Sequence, residues 1–363
     1  MNTSRPHVSD ADRAAFDDFL TGADEEEAVQ LAVRLSASGV TAEELLLDLV
    51  TPAQVAVGSR WAAGEWTIAQ EHAATHISER CVDAVAAAVG ATGAESRTGG
   101  PGAAGEVLVA CSDGEWHSLS ARILAVVLRL RGFRVRFLGG HVPVARLLAD
   151  MHQNDPDVVA LSCTLTAHLP FAYRQIEMCR TAGVPVLAGG HGFGPEGAWA
   201  YALGADLYSS DPASAAELLR RRWPPLLTGT PSVQEASVEA YARLVRQRPE
   251  LLATVRSRLA DRYPAPHARG PGKTEAVNEI PGHLLDALAA AVFVDDPRAL
   301  TGYLSYATDF LAARGVHDSR VRLTLDTVAE QLRDSPRVLA HVQEGQRWLD
   351  GQLVRQGLSP SGP

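Results

Sequence analysis

Cysteine is scarce. Four residues, Cys81, Cys111, Cys163 and Cys179, are scattered with no CxxC spacing. That excludes a disulfide frame and a sequence-local zinc site, and predicts small buried residues in a reducing, cytoplasmic setting. No apolar run approaches the roughly 20 residues that span a bilayer. Met1 to Asp12 lacks the charged-then-apolar order of a signal peptide. Positive charge is also short. The formal net charge is -10, which argues against a general nucleic-acid binder. Lysine is almost absent, with Arg doing its work; that reflects genome composition and says nothing of function. No internal repeat is present.

What remains is an ordinary soluble composition, 46% hydrophobic and 21% charged, over 363 residues. The length predicts two or three domains. Residues 1–90 read as a four-helix bundle. Asp10 is expected to open the first helix, and Ala28, Leu31, Ala32 and Leu35 recur at helical spacing in the second. Gly39 is a C-cap, and Thr41-Ala-Glu-Glu a capping box for a third helix interrupted at Pro52. A turn at 61–67 precedes a long fourth helix, 68–89. Residues 91–105, rich in Gly and Ala, predict a flexible linker. From 106 to 223, strands near 107–111, 135–138, 158–162, 184–188 and 207–209 alternate with helices, predicting a flavodoxin-like (Rossmann-type) doubly wound, parallel five-stranded sheet. A Pro-rich linker, 224–232, ends that domain. Residues 233–356 predict an all-α domain of six helices, 233–246, 249–262, 283–293, 297–313, 321–333 and 336–350, with a Pro/Gly-rich loop at 264–272.

One loop carries a distinctive pattern. The strand 107–111 runs into Cys111-Ser-Asp-Gly-Glu115-Trp116-His117-Ser118-Leu119-Ser120. Loops at the carboxyl ends of parallel strands are where such sheets bind ligands. His117 there has a ring nitrogen to offer, and Glu115 is close enough to orient it. The segment resembles the E/D-x-H-x-x-G signature of cobalamin-binding domains, with Ser120 in place of the last glycine. Ser162-Cys163-Thr164 and Gly189-Gly190 resemble two further elements of that family. The resemblance implies that His117 is the lower axial cobalt ligand. It further implies that Glu115, Trp116, Ser118, Leu119, Ser162, Thr164, Gly189 and Gly190 bind the cofactor and its displaced nucleotide tail. A neutral imidazole suits cobalt, and a carboxylate behind it fixes the tautomer.

The preceding bundle adds to this. Trp61, nine residues, then Glu71-His72 resembles the W-x9-E-H signature of the helical cap in light-sensing cobalamin proteins of the CarH type. The resemblance implies that Trp61, Glu71 and His72 face the upper side of the corrin and a 5′-deoxyadenosyl group. Trp66 and His76 lie nearby with weaker claims. One departure stands out: Ala62 occupies the position of the histidine that captures cobalt after photolysis in that type. No helix-turn-helix precedes the bundle, so direct DNA repression is not expected.

The order of bundle, cobalamin domain and helical domain resembles the photocobilins, in which a cobalamin sensor is joined to a bilin-binding domain. The last domain is then expected to be globin-like or phycobiliprotein-like. A biliverdin-type bilin there must be noncovalent, since no cysteine follows Cys179. Its candidate contacts are His283, Tyr303, Tyr306, Asp309, His317, Arg320 and Arg322; the alternative is an ordinary helical dimerisation domain. The expectation is therefore a cytoplasmic, adenosylcobalamin-binding photoreceptor, a homo-oligomer signalling to a further protein, rather than an enzyme. Photolysis would move the cap. The alternative is a corrinoid carrier for methyl transfer, as in methionine synthase. A mutase is disfavoured because no TIM-barrel domain is present.

Overall fold

A computed structural model describes residues 6–92, 104–263 and 273–355. The bundle consists of α1 (Asp10–Gly22), α2 (Glu25–Ala37), α3 (Ala42–Glu44), a π-helical stretch (Leu45–Val50), α4 (Thr51–Ala62) and α5 (Ile68–Thr92). The cap of α1 is Ser9 rather than Asp10: Asp12 N donates to Ser9 Oγ, and Ser9 N donates to Asp12. The Thr41–Glu44 capping box forms as expected. Pro52 does not interrupt the third helix. The π-helical stretch carries the chain into it, with Thr51 N bonded back to Leu46 O. A proline at 52 leaves the carbonyl of Asp48 without its helical donor. Arg13 Nε takes that carbonyl at 3.0 Å. The helix also runs on through Trp61 and Ala62, so only 63–67 form the turn.

Strand β1 (Ala104–Cys111) leads through α6 (Leu119–Leu130), β2 (Phe133–Phe137), α7 (Val144–Asn154), β3 (Val158–Ser162), α8 (Leu169–Thr181), β4 (Val186–Gly189), α9 (Ala198–Ala202), β5 (Leu207–Ser209) and α10 (Pro212–Arg221). All pairs are parallel, in the order β2-β1-β3-β4-β5. This is the doubly wound order in which the chain leaves β1 and β3 in opposite directions, opening a crevice at their carboxyl ends. Strand alternation divides the sheet into two cores. Val107, Val109 and Cys111 face α6, α10 and the helical bundle. Leu108 and Ala110 face the other way, toward α7, α8 and the C-terminal helices. The predicted linker 91–105 is shorter than expected, because α5 reaches Thr92 and β1 begins at Ala104; the rest of it lies outside the described residues. The four cysteines are buried and free, as expected. Burial pushes Cys81, Cys111 and Cys179 up to about 12.

The second linker is not loose. Thr228 N and Gly229 N donate to Asp206 Oδ1 at 2.6 and 2.7 Å, strapping it to the α/β unit. The C-terminal unit has five helices among the described residues: α11 (Glu235–Arg262), α12 (Lys273–Val294), α13 (Arg298–Ala312), α14 (Ser319–Gln331) and α15 (Pro336–Arg355). The expected break before Pro249 is absent, and α12 starts well before 283, running through Pro281. A proline inside a helix costs about 3 kcal/mol. Leu244, Leu251, Val255 and Leu259 form one buried stripe across Pro249. Val277, Ile280, Leu284 and Leu288 do the same across Pro281. At about 1.5–3 kcal/mol per buried side chain, either stripe outweighs the local cost. The predicted loop 264–272 lies outside the described residues. Ala276–Val294 is long and apolar enough to cross a membrane, contrary to the reading of the sequence, but 72% of it is buried inside the protein, as in a core helix.

Candidate functional site

The crevice between the carboxyl ends of β1 and β3 is bridged by one carboxylate. Glu115 is fully buried. Its Oε1 accepts from His117 N at 3.0 Å and pairs with His117 Nδ1 at 2.5 Å. Its Oε2 accepts from Thr164 N at 2.8 Å and Leu165 N at 3.0 Å, and lies 3.3 Å from His168 Nδ1. Burial alone would raise the carboxyl, yet the hydrogen bonds from His117 and His168 carry it far below the ordinary carboxylate range. The same hydrogen bond raises the pKa of His117 against the opposing effect of burial, and the charge of Glu71 on the bundle adds to it. With Nδ1 engaged, Nε2 is the ring atom left to bind, on a side chain 61% exposed.

The loop around it is held at further points that the sequence did not disclose. Asp113 N donates to Gln175 Oε1 at 3.0 Å, and Gln175 Nε2 donates to Val142 O. Gly114 N donates to His141 Nδ1 at 2.9 Å, and His141 N donates to Glu115 O at 2.7 Å. Trp116, 72% exposed, stacks on His141 with ring centroids 4.9 Å apart. His141, His168 and Gln175 lie 27, 53 and 62 residues beyond their partners on the loop and carry no local pattern that would have singled them out.

Other expected contacts divide. Ser118 Oγ donates to Glu79 Oε1 at 3.2 Å, tying the loop to α5, while Leu119 points into the core and Ser120 is exposed. Ser162 pairs in register with Gly189, and Thr164 contributes its backbone N–H to Glu115. Gly190 is required from inside the protein: φ is +102°, and a Cβ would fall 2.4 Å from Cys163 O. A Gly190→Ala variant is expected to lose about 2 kcal/mol or more of stability, checked by urea unfolding; an unchanged midpoint would refute this packing. On the bundle, Glu71 accepts from Thr75 Oγ1 at 2.9 Å, and His72, exposed, sits 3.6 Å from Glu71. His76 is exposed beside Glu25, and Trp66 is buried under the Arg60 guanidinium.

Trp61 departs from expectation. Its ring lies 5.4 Å from Phe310 and 6.3 Å from Tyr306, both on α13 of the C-terminal unit. Of the seven bilin candidates, this brings in Tyr306, with Tyr303 at 6.0 Å from it. Tyr303 OH donates to Ile280 O, and burial raises both phenols. The other five are not gathered with them. His283 and Asp309 are exposed. His317 Nδ1 accepts from Ser319 N. Arg322 is paired with Asp350 and Asp326. Arg320 lies over the Tyr263 ring and lines a cavity of about 460 Å³ between α11, α12 and α14, the single candidate to do so. Residue patterning placed aromatics at helical spacing; it could not say that one of them faces Trp61.

A bare metal ion does not fit: among the described residues no group of three or more His, Cys, Asp or Glu is placed to hold one. One exposed imidazole, oriented by a buried carboxylate, fits a metal whose other ligands arrive with a macrocycle. The family models agree. Residues 105–217 and 14–86 each match a family described as "B12 binding domain". The chain is 25% identical over 207 residues to trimethylamine corrinoid protein 1 of Methanosarcina acetivorans, covering 56% of this chain and 93% of the relative. It is 26% identical over 193 residues to the trimethylamine corrinoid protein of Methanosarcina barkeri, covering 52% and 86%. A solved monomethylamine corrinoid protein of Methanosarcina barkeri aligns with a TM-score of 0.48 at 17% identity, covering 57% of this chain and 95% of that one. The bundle and the α/β unit are B12-binding domains, and the chain binds cobalamin; the helices from Glu235 onward lie beyond both matched domains.

Proposed function

We propose that this cobalamin-binding chain is a sensor in which the bundle caps the cofactor and the C-terminal helices receive the cap's displacement, with light as the stimulus. The observation that carries the reading is the place of Trp61. The residue expected to cover the upper face of the corrin is packed on Tyr306 and Phe310 of a domain that a mere carrier does not need. A bound adenosylcobalamin supplies a weak, light-sensitive cobalt–carbon bond and an exchangeable upper ligand. The protein supplies the rest. His117 Nε2 would hold the metal, and Glu115 keeps the ring in one tautomer. Thr164, Ser162, Gly189 and Gly190 stand at the β3–β4 edge where the displaced nucleotide tail would lie. Glu71 and His72 would present the cap side, while Trp61 links the cap to the C-terminal helices. Ala62 offers no imidazole that could bind the metal from the cap side.

Free adenosylcobalamin also responds to light, so the informative readout is the protein. Illumination of the adenosylcobalamin complex with green light is expected to change the visible spectrum irreversibly. It should also change hydrogen exchange in both 59–67 and 306–316. A lit complex whose exchange matches the dark one in both segments would sink the sensor reading. The C-terminal cavity at Arg320 is where a noncovalent biliverdin-type bilin would be sought, by red absorbance after co-expression with a bilin source; without it, the C-terminal unit serves as output or as the contact of a homodimer.

The second reading is a corrinoid carrier for methyl transfer. It is the one the relatives favour, since those named are corrinoid proteins of methylamine systems. It predicts preference for methylcobalamin, light-indifferent binding, and delivery of the methyl group to an acceptor supplied by a separate methyltransferase.

A further inference from the structure

Arg314 follows α13 at a sharp turn and is 7% exposed. The partners of its guanidinium are carbonyls and a ring. Nη2 donates to Trp61 O at 2.8 Å, and Nη1 donates to Ala62 O at 3.0 Å and Phe310 O at 3.1 Å. Its Cζ lies 3.4 Å from the centroid of the Phe310 ring, and its buried Nε has no partner. Trp61 and Ala62 are the last two residues of α4. Their carbonyls form the electronegative end of that helix; Trp61 O also accepts from Gly64 N at 3.0 Å, and a cation from elsewhere in the chain adds to its capping. The guanidinium plane and the π face complete the compensation. The end of α13 and the residue that follows it therefore hold Trp61 twice: its ring through Tyr306 and Phe310, and its backbone through Arg314.

We infer that Arg314 is the positioning residue that latches the lid end of the cap to the C-terminal unit, so that displacement of α4 and repacking of α13 occur as one event. The logic is that of a buried charge. If α4 withdraws, Arg314 loses two of its three carbonyl acceptors and keeps only Phe310 O and the Phe310 ring. A buried cation without acceptors is strongly unfavourable. Either α13 follows the cap or Arg314 swings out to water; an intermediate position is the least stable. Packed interfaces of this sort shift between discrete arrangements. Gly64, with φ +70° and a Cβ position 3.5 Å from the guanidinium, lets the chain turn away directly after the latch. The inference deepens the sensor reading and rests on it for its purpose, not for the latch itself.

The test uses the full chain, first free of corrinoid, with wild type, Arg314→Gln and Arg314→Lys compared by hydrogen exchange. Exchange in 59–67 should rise about tenfold in Arg314→Gln, less in Arg314→Lys, which keeps the charge and loses the fork, with β1 and β3 unaltered. Unchanged exchange at 59–67, or an equal rise throughout the chain, would overturn the latch. Adenosylcobalamin is then added. In wild type 59–67 and 306–316 should change together; in Arg314→Gln only 59–67 should change. A response of both segments in the variant, which a merely structural arginine would permit, would also overturn it. Failure of wild type to bind adenosylcobalamin would count against the proposed function, and the corrinoid-free comparison would still decide the latch.

Discussion

Replacing His117 with alanine should convert the bound corrinoid to a spectrum without axial imidazole and weaken binding by about 10- to 100-fold or more. Loss of a group that only orients a metal ligand already costs about that much, and His117 is the ligand itself. The fold should not suffer. The side chain is 61% exposed, and Glu115 retains Thr164 N, Leu165 N and His168 when the imidazole is removed. Unfolding free energies of wild type and His117→Ala from urea melts should therefore agree within about 1 kcal/mol. An unaltered visible spectrum in the variant would show that cobalt is not bound through this ring. The experiment separates the ligand from the scaffold, because the residue that binds and the residue that builds are different side chains two positions apart.

The builder is Glu115, and its loss should have the largest effect on stability. Glu115→Gln keeps the shape and replaces one acceptor oxygen with an NH2 group. Each oxygen accepts from at least two donors, so whichever end carries the NH2 sets donor against donor in a fully buried place. The expected cost is about 3–5 kcal/mol, the range for breaking one partner of a buried charged network. Corrinoid binding should fall with it, since nothing then fixes the His117 tautomer. An unfolding free energy within about 1 kcal/mol of wild type would show that the loop is held by Gln175 and His141 instead. The pH dependence has a definite sign. The folded carboxyl is held far below its ordinary value of 4.5. Its contribution is therefore complete above that value and declines as pH falls below it, because the unfolded chain takes up the proton first. Glu115→Gln should lose this part of the acid sensitivity, visible as a flatter stability curve below pH 4.5.

Much of this was written locally. The five strands, the helix starts after β1 and β3 and the loop that bears His117 follow from short-range patterns: β-branched runs, alternation and a compact loop signature. Glu115 acts on a residue two positions away, so its role could be read in order along the chain. The helix breaks expected at Pro52 and before Pro249, and the helix start expected only at His283, beyond Pro281, were wrong for one reason. Local propensity at a proline is worth about 3 kcal/mol, and a buried stripe or a side chain that takes the freed carbonyl exceeds or offsets it. The seven bilin candidates were chosen by residue type, and type does not say which way a side chain faces. His317 caps a backbone N–H, Arg322 pairs with Asp350, and only Tyr303 and Tyr306 meet.

The sequence by itself determined a cobalamin-type loop on a parallel sheet, a helical cap before it and a helical unit after it. Only the tertiary structure decided how they are joined. Glu115 reaches His168 across 53 residues, and Arg314 reaches Trp61 across 253. Neither pair leaves a periodicity or a motif: the Arg314 bond goes to a backbone carbonyl, which asks nothing of the partner's side chain, and His168 stands on a different loop from Glu115 with no fixed spacing to it. What fixes them is burial: a carboxylate or guanidinium removed from water must find donors or acceptors, and the fold alone determines which are within reach.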